Sequence, residues 1–81
     1  MSMSEELLQA SGFEPCPTPP PGWGNKSGTI YTRLLPQGRA YVRCLPDGPG
    51  MVEAFIGNWK RPAAYCRGAV QNVEQLLWLL A

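Results

Sequence analysis

The chain has 81 residues, a net charge of +1 at neutral pH and a pI near 7.7. Apolar residues make up 44% and charged residues 16%, which is the composition of one small globular domain with little room for a deep catalytic pocket. The near-neutral balance excludes a global field that would draw the protein onto DNA or an anionic membrane, so any nucleic-acid binding has to come from a local patch.

There is no histidine, and Cys16, Cys44 and Cys66 are widely and unequally spaced. Without a CxxC pair or an imidazole, neither a zinc site nor a thiol nucleophile with its base can be assembled from the usual parts. The thiols read as reduced, small apolar side chains. No cofactor or metal is expected. The start carries Glu5 and Glu6 and lacks a basic stretch followed by an apolar run. No apolar segment approaches the ~20 residues of a membrane span. The chain is therefore expected in the cytoplasm, with no membrane partner.

Taken in order, residues 1–12 read as a short helix. Ser2 or Ser4 can cap it, Ser2 with Glu5 matching the capping box, and it runs through about Ala10. Gly12 stands where a left-handed residue ends a helix, and Phe13 can then fold back on Leu7 or Leu8. Residues 13–28 form a proline- and glycine-rich arm. Its five prolines exclude regular helix and sheet, and it reads either as a wrap pinned by Trp23 or as a recognition segment.

Residues 29–81 read as a βββα core. The runs TIYTRLL, RAYVRCL and MVEAFIGNW are strands, joined by Leu35-Pro36-Gln37-Gly38 and Leu45-Pro46-Asp47-Gly48. In each turn proline presets φ and glycine accepts a positive φ. Alternation puts Ile30, Thr32 and Leu34, then Ala40, Val42 and Cys44, then Val52, Ala54 and Ile56 on the core face. The opposite face then carries Tyr31, Arg33, Arg39, Tyr41, Arg43, Met51, Glu53 and Phe55. From Ala63 to Leu80, apolar residues at Cys66, Ala69, Val73, Leu76 and Leu80 follow a helical period, with Gly68 as a weak point. The expected fold is thus α+β: a three-stranded antiparallel meander packed by a C-terminal helix, with a short N-terminal helix and the proline-rich arm.

The carboxylates are scattered over separate elements, and no glycine-rich phosphate loop follows a strand. The chain is expected not to be an enzyme. The interleaved aromatic and basic residues Tyr31, Arg33, Arg39, Tyr41, Arg43 and Phe55, flanked by Trp59, Lys60 and Arg61, have the composition of a protein interface. The same residues can stack bases and hold phosphates, so a single-stranded nucleic acid is the alternative partner. A plain structural face is the third reading. The tail Leu76-Leu77-Trp78-Leu79-Leu80 is broader than one sheet requires, which allows a homodimer through the C-terminal helix.

The run Leu34-Leu35-Pro36-Gln37-Gly38-Arg39-Ala40 resembles the LLPxGRA stretch of some phage tail proteins over seven residues, and no role is carried over from it. In format, a compact domain with one aromatic and charged face, the chain resembles small phage- or plasmid-encoded inhibitors of bacterial defence complexes, including anti-CRISPR proteins. That resemblance implies a protein partner within a larger macromolecular complex; a structural subunit of a phage or homo-oligomeric assembly is the remaining alternative.

Overall fold

The computed structural model describes residues 4–17, 29–46 and 48–80. The fold is α+β, built on a five-stranded antiparallel sheet in simple sequence order. The strands are β1 (Glu14–Pro15), β2 (Ile30–Leu35), β3 (Gly38–Cys44), β4 (Met51–Asn58) and β5 (Arg61–Ala69). Two short helices, α1 (Glu5–Ala10) and α2 (Val73–Leu80), pack on one face of the sheet. Most of the segment read as a proline-rich arm, including Trp23, lies outside the described residues; its start, Glu14–Pro15, supplies the two-residue strand β1.

Helix α1 forms as the sequence dictates. Ser4 is the N-cap, and its hydroxyl accepts from the Leu7 N–H at 3.4 Å. Gly12 has φ +90°, and the chain closes the helix with Phe13 N–H to Leu8 C=O at 3.0 Å and Gly12 N–H to Gln9 C=O at 3.2 Å. These two bonds define a Schellman motif, and its usual apolar partners, Leu8 and Phe13, are both buried. Six residues are too few for a stable helix alone. Burying Leu8 and Phe13 supplies roughly 1.5–3 kcal/mol each, which is what holds α1 in place.

The β2–β3 and β3–β4 turns fall where the Pro-Gly pairs predict. Gly38 has φ +140° and a Cβ there would sit 3.1 Å from Ile56 Cγ2, so both the backbone and the packing require glycine. In the second turn Gly50 carries a positive φ, at +73°.

Besides the exclusion of sheet from residues 13–28, which β1 overturns at an edge where Pro15 needs no N–H partner, two expectations are corrected. The first concerns β2. Its register pairs Tyr31 with Val42 and Arg33 with Ala40, so Tyr31, Arg33 and Leu35 face the helices. Ile30, Thr32 and Leu34 face away, and Leu34 is 67% exposed. Tyr31 is tolerated in the core because its hydroxyl donates to Glu5 Oε1 at 3.1 Å, which satisfies the buried phenol. β3 and β4 have the expected parity: Ala40, Val42, Val52, Ala54 and Ile56 are buried on the helix face, and Cys44 packs against them.

The second correction concerns the C-terminal helix. Residues 61–69 form β5, and the helix begins only at Val73. The hairpin turn is set by Asn58, whose Oδ1 accepts the Lys60 N–H at 2.9 Å. Asn72 Oδ1 then caps α2 by accepting the Gln75 N–H at 2.7 Å, and Gln75 Oε1 reaches back to the Gln71 N–H at 2.8 Å. Val73, Leu76 and Leu80 are buried against the sheet, while Trp78 and Leu79 are 76% and 44% exposed.

Replacing Gly38 with alanine is expected to lower the unfolding free energy by about 1–3 kcal/mol, the usual cost of forcing a side chain into a glycine-only backbone region. Urea titration measures this; an unchanged midpoint contradicts the assigned turn geometry.

Candidate functional site

The sheet face opposite the helices holds the candidate residues, and much of it is a second core. Phe55 is fully buried and Ile30 nearly so, with Cys16, Tyr41 and Trp59 packed against them. The rings run in a row across the strands: Tyr41 stacks on Phe55 at 5.1 Å, Phe55 meets Trp59 at 5.3 Å, and Trp59 meets Tyr65 at 5.7 Å. The tilted and offset arrangements are those that aromatic quadrupoles favour.

Beside this row lies a buried ion pair. Arg43 Nη2 donates to Glu53 Oε1 at 2.5 Å across the β3–β4 register, and Tyr65 donates its hydroxyl to Glu53 Oε2 at 2.6 Å from β5. Only 5% of Arg43 and 8% of Glu53 is exposed. A carboxylate taken out of water is tolerated only when its oxygens are satisfied, and here each oxygen has a donor from a different strand.

The nine residues singled out from the sequence therefore separate. Tyr31 and Arg33 lie on the helix face, Tyr31 buried and Arg33 half-buried beside Gly12. Phe55 and Arg43 are inside the outer face and unavailable as docking surface. A charge reversal at Arg43 would set a second carboxylate against Glu53, so it cannot serve as a surface variant that leaves the fold intact. Tyr41 is half-buried on Phe55. Arg39, Trp59, Lys60 and Arg61 remain accessible, Trp59 partly so.

These four lie at one end of the sheet. In an antiparallel meander the β2–β3 and β4–β5 turns fall on the same end, so Pro36–Gln37 and Trp59–Lys60 are neighbours in that sense. Arg39, the second residue of β3, lies on the outer face opposite the exposed Leu34, and its Nη1 donates to the Thr32 hydroxyl at 3.3 Å. Neither Leu34–Arg39 nor Gly57–Arg61 contains an acidic residue. Glu14 lies farther along this face, on β1 opposite Thr32. Sequence reasoning missed Leu34, counted as core, and Tyr65, counted as helical.

Among the described residues no group of three or more His, Cys, Asp or Glu side chains converges to hold a metal. A hollow of about 330 Å³ on α2 is lined by Asn72, Glu74, Gln75 and Trp78, with one carboxylate. No helix of the described residues is long and apolar enough to cross a membrane. No protein-family model matches the chain, and comparisons with curated proteins and with solved structures return no match.

Four groups, the phenols of Tyr31 and Tyr65 and the thiols of Cys44 and Cys66, are shifted toward their neutral forms. Burial raises the Tyr31 phenol above its usual 10.0, helped by the hydrogen bond to Glu5. The hydrogen bond to Glu53 raises Tyr65, with burial second. Burial also raises the thiols of Cys44 and Cys66 above 9.0, with the Glu5 charge adding to Cys44. In each case the unfolded chain loses its proton first as pH rises, so the folded state loses stability with alkalinity.

Two outcomes follow from this geometry. The urea midpoint is expected to hold up to about pH 9, to fall as the unfolded thiols ionise and to fall faster above about pH 10. A midpoint that stays flat to about pH 11 contradicts the raised phenols of Tyr31 and Tyr65 and the raised thiols of Cys44 and Cys66. Separately, Arg43→Met is expected to cost about 3–5 kcal/mol by stranding the Glu53 carboxylate, and the double variant Arg43→Met with Glu53→Leu should recover most of it. Equal losses in the single and double variants rule out the pair as the source.

Proposed function

We propose that this chain is a small, non-enzymatic protein-binding module that docks an acidic surface of a larger complex through one end of its sheet. The observation that carries the reading is the collection of Arg39, Lys60 and Arg61 at the turn end, beside the partly exposed Trp59 and the exposed Leu34, with no carboxylate in those segments. Arginine and tryptophan are the side chains that most often anchor interfaces, and an exposed leucine beside them supplies apolar contact. Cations around it attract an acidic partner and set orientation. An inhibitor that occludes a working surface of its target, in the manner of small phage-encoded inhibitors, needs no more than this; a structural subunit of an assembly would use the same end.

A base-stacking surface on the sheet is the weaker reading. Phe55 is fully buried and one face of Tyr41 is stacked on it, which leaves little ring surface at the centre of the face for a base.

The triple variant Arg39→Glu, Lys60→Glu and Arg61→Glu alters exposed residues only, so its melting temperature should stay within a few degrees of the native chain. Native chain immobilised under host extract at about 50 mM salt should retain one stoichiometric protein, losing it progressively as salt rises and entirely in the triple variant. Retention by the triple variant sinks the assignment of this end. Salt-sensitive binding to oligonucleotides by fluorescence anisotropy, lost in the same variant, replaces it with the nucleic-acid reading.

A further inference from the structure

The hollow on α2 lies apart from the turn end, and its lining has a chemistry of its own. Glu74 and Trp78 are four residues apart on the helix, and Gln75 and Trp78 three, so these side chains share one exposed face. Val73, Leu76 and Leu80 hold α2 to the sheet, while Trp78 is 76% exposed. The amide oxygens of Asn72 and Gln75 already accept from backbone N–H groups of the first turn. These two side chains are thereby held in place, and Glu74 is the charged acceptor of the hollow.

An indole beside a carboxylate is suited to a cation. The negative face of the ring attracts a guanidinium or an ammonium, and the carboxylate accepts its N–H groups. An anion would be repelled by Glu74. The chain itself carries a matching group. Lys60 and Arg61, both exposed, are adjacent at the tip of the β4–β5 hairpin, between the turn set by Asn58 and Pro62. They cannot enter the hollow of their own molecule. The strand continues from Arg61 as far as Val70, whose N–H donates to Gly50 C=O, a run of about 30 Å. The helix from Val73 to Trp78 recovers only about 7 Å of that even when it points straight back, and the remaining gap exceeds the length of either side chain.

We propose that the hollow on α2 receives the Lys60-Arg61 tip of a second copy of this chain. The planar guanidinium of Arg61 stacks on the Trp78 indole and is held by Glu74, with Lys60 at the rim. Charge complementarity selects this occupant. The tip carries two cations, and no carboxylate stands between Gly57 and Arg61. The hollow carries one carboxylate and, among the described residues, no cation. The inference rests on the reading of the turn end as the docking end, and it names what that end binds: the complex it enters includes further copies of the chain. The contact joins unlike surfaces, so each copy offers one entering side and one receiving side.

The contact is tested on the full chain. Sedimentation over a concentration series at about 50 mM salt should show reversible self-association that weakens as salt rises. Two variants divide the contact. Glu74→Gln with Trp78→Ala removes the receiving side, and Lys60→Glu with Arg61→Glu removes the entering side. All four side chains are exposed, so both variants should keep the native circular dichroism and a melting temperature within a few degrees. Each alone should raise the dissociation constant by ~30-fold or more. Trp78→Phe keeps a ring and should change it only a few fold. An equimolar mixture of the two double variants should form a mixed dimer, because one intact entering side meets one intact receiving side. A synthetic peptide of residues 57–63 should shift the Trp78 indole N–H resonance of the native chain and leave the α2 amide resonances of the Glu74→Gln, Trp78→Ala variant unmoved. Self-association retained by either double variant, or a mixture that stays monomeric, overturns the proposal. So does a native chain that is monomeric at millimolar concentration; a host protein retained through Arg39, Lys60 and Arg61 would then keep the turn end as a docking surface for a different partner.

Discussion

The carboxylate of Glu53 is the point on which the outer half of the molecule depends. Arg43 reaches it from β3 and Tyr65 from β5, so one buried charge ties three strands together. A side chain of this kind is costly to bury and costlier still to bury alone. A slip of one residue in β4 would carry Glu53 to the helix face, among Leu8, Phe13 and Leu76, where nothing could satisfy it. The pair is therefore better understood as fixing register than as adding net stability. With register fixed, Phe55 falls between Tyr41 and Trp59, and β4 runs as a strand buried on both faces from Val52 to Ile56.

Elements are legible in the sequence where a local signal and a single periodicity agree. Ser4, Gly12 and Phe13 specify α1 and its termination, because each acts through its immediate backbone neighbours. β3 and β4 are legible because, from Arg39 to Cys44 and from Val52 to Ile56, small and aliphatic residues alternate with large polar or aromatic ones. β2 misleads because Leu34-Leu35 offers an apolar residue to either face, and the aliphatic set with Ile30 looks the more natural core. What decides the matter is a contact 26 residues away in sequence, between Tyr31 and Glu5, and no pattern within the strand carries it.

The misreading of β5 has a different cause. Cys66, Ala69, Val73, Leu76 and Leu80 are spaced three and four apart, yet the first two belong to a strand and the last three to a helix. The strand's own alternation was present, with Ala64, Cys66 and Gly68 on one side and Tyr65 and Arg67 on the other, but alanine and glycine give it little hydrophobic contrast. Pro62 and Gly68 argue against a helix there, and the Asn72-x-x-Gln75 capping pattern marks where the helix begins. The candidate site suffered from the same two errors. Of the aromatic and basic residues chosen from the sequence, Tyr31 is buried in the helix-face core and Arg43 and Phe55 within the outer face, since a domain this small draws its cores from tyrosine, arginine and phenylalanine as well as from aliphatic residues. The accessible remainder was legible mainly as the Trp59-Lys60-Arg61 cluster and Arg39.

The blunt border formed by Glu14 and Pro15 limits how far molecules of this kind can join. A sheet with two long open borders can add neighbours indefinitely, which is the geometry of amyloid growth. Here one border is too short and lacks a donor at Pro15. Among the described residues, that border gives a further strand little to pair with, and growth from the β1 side is disfavoured.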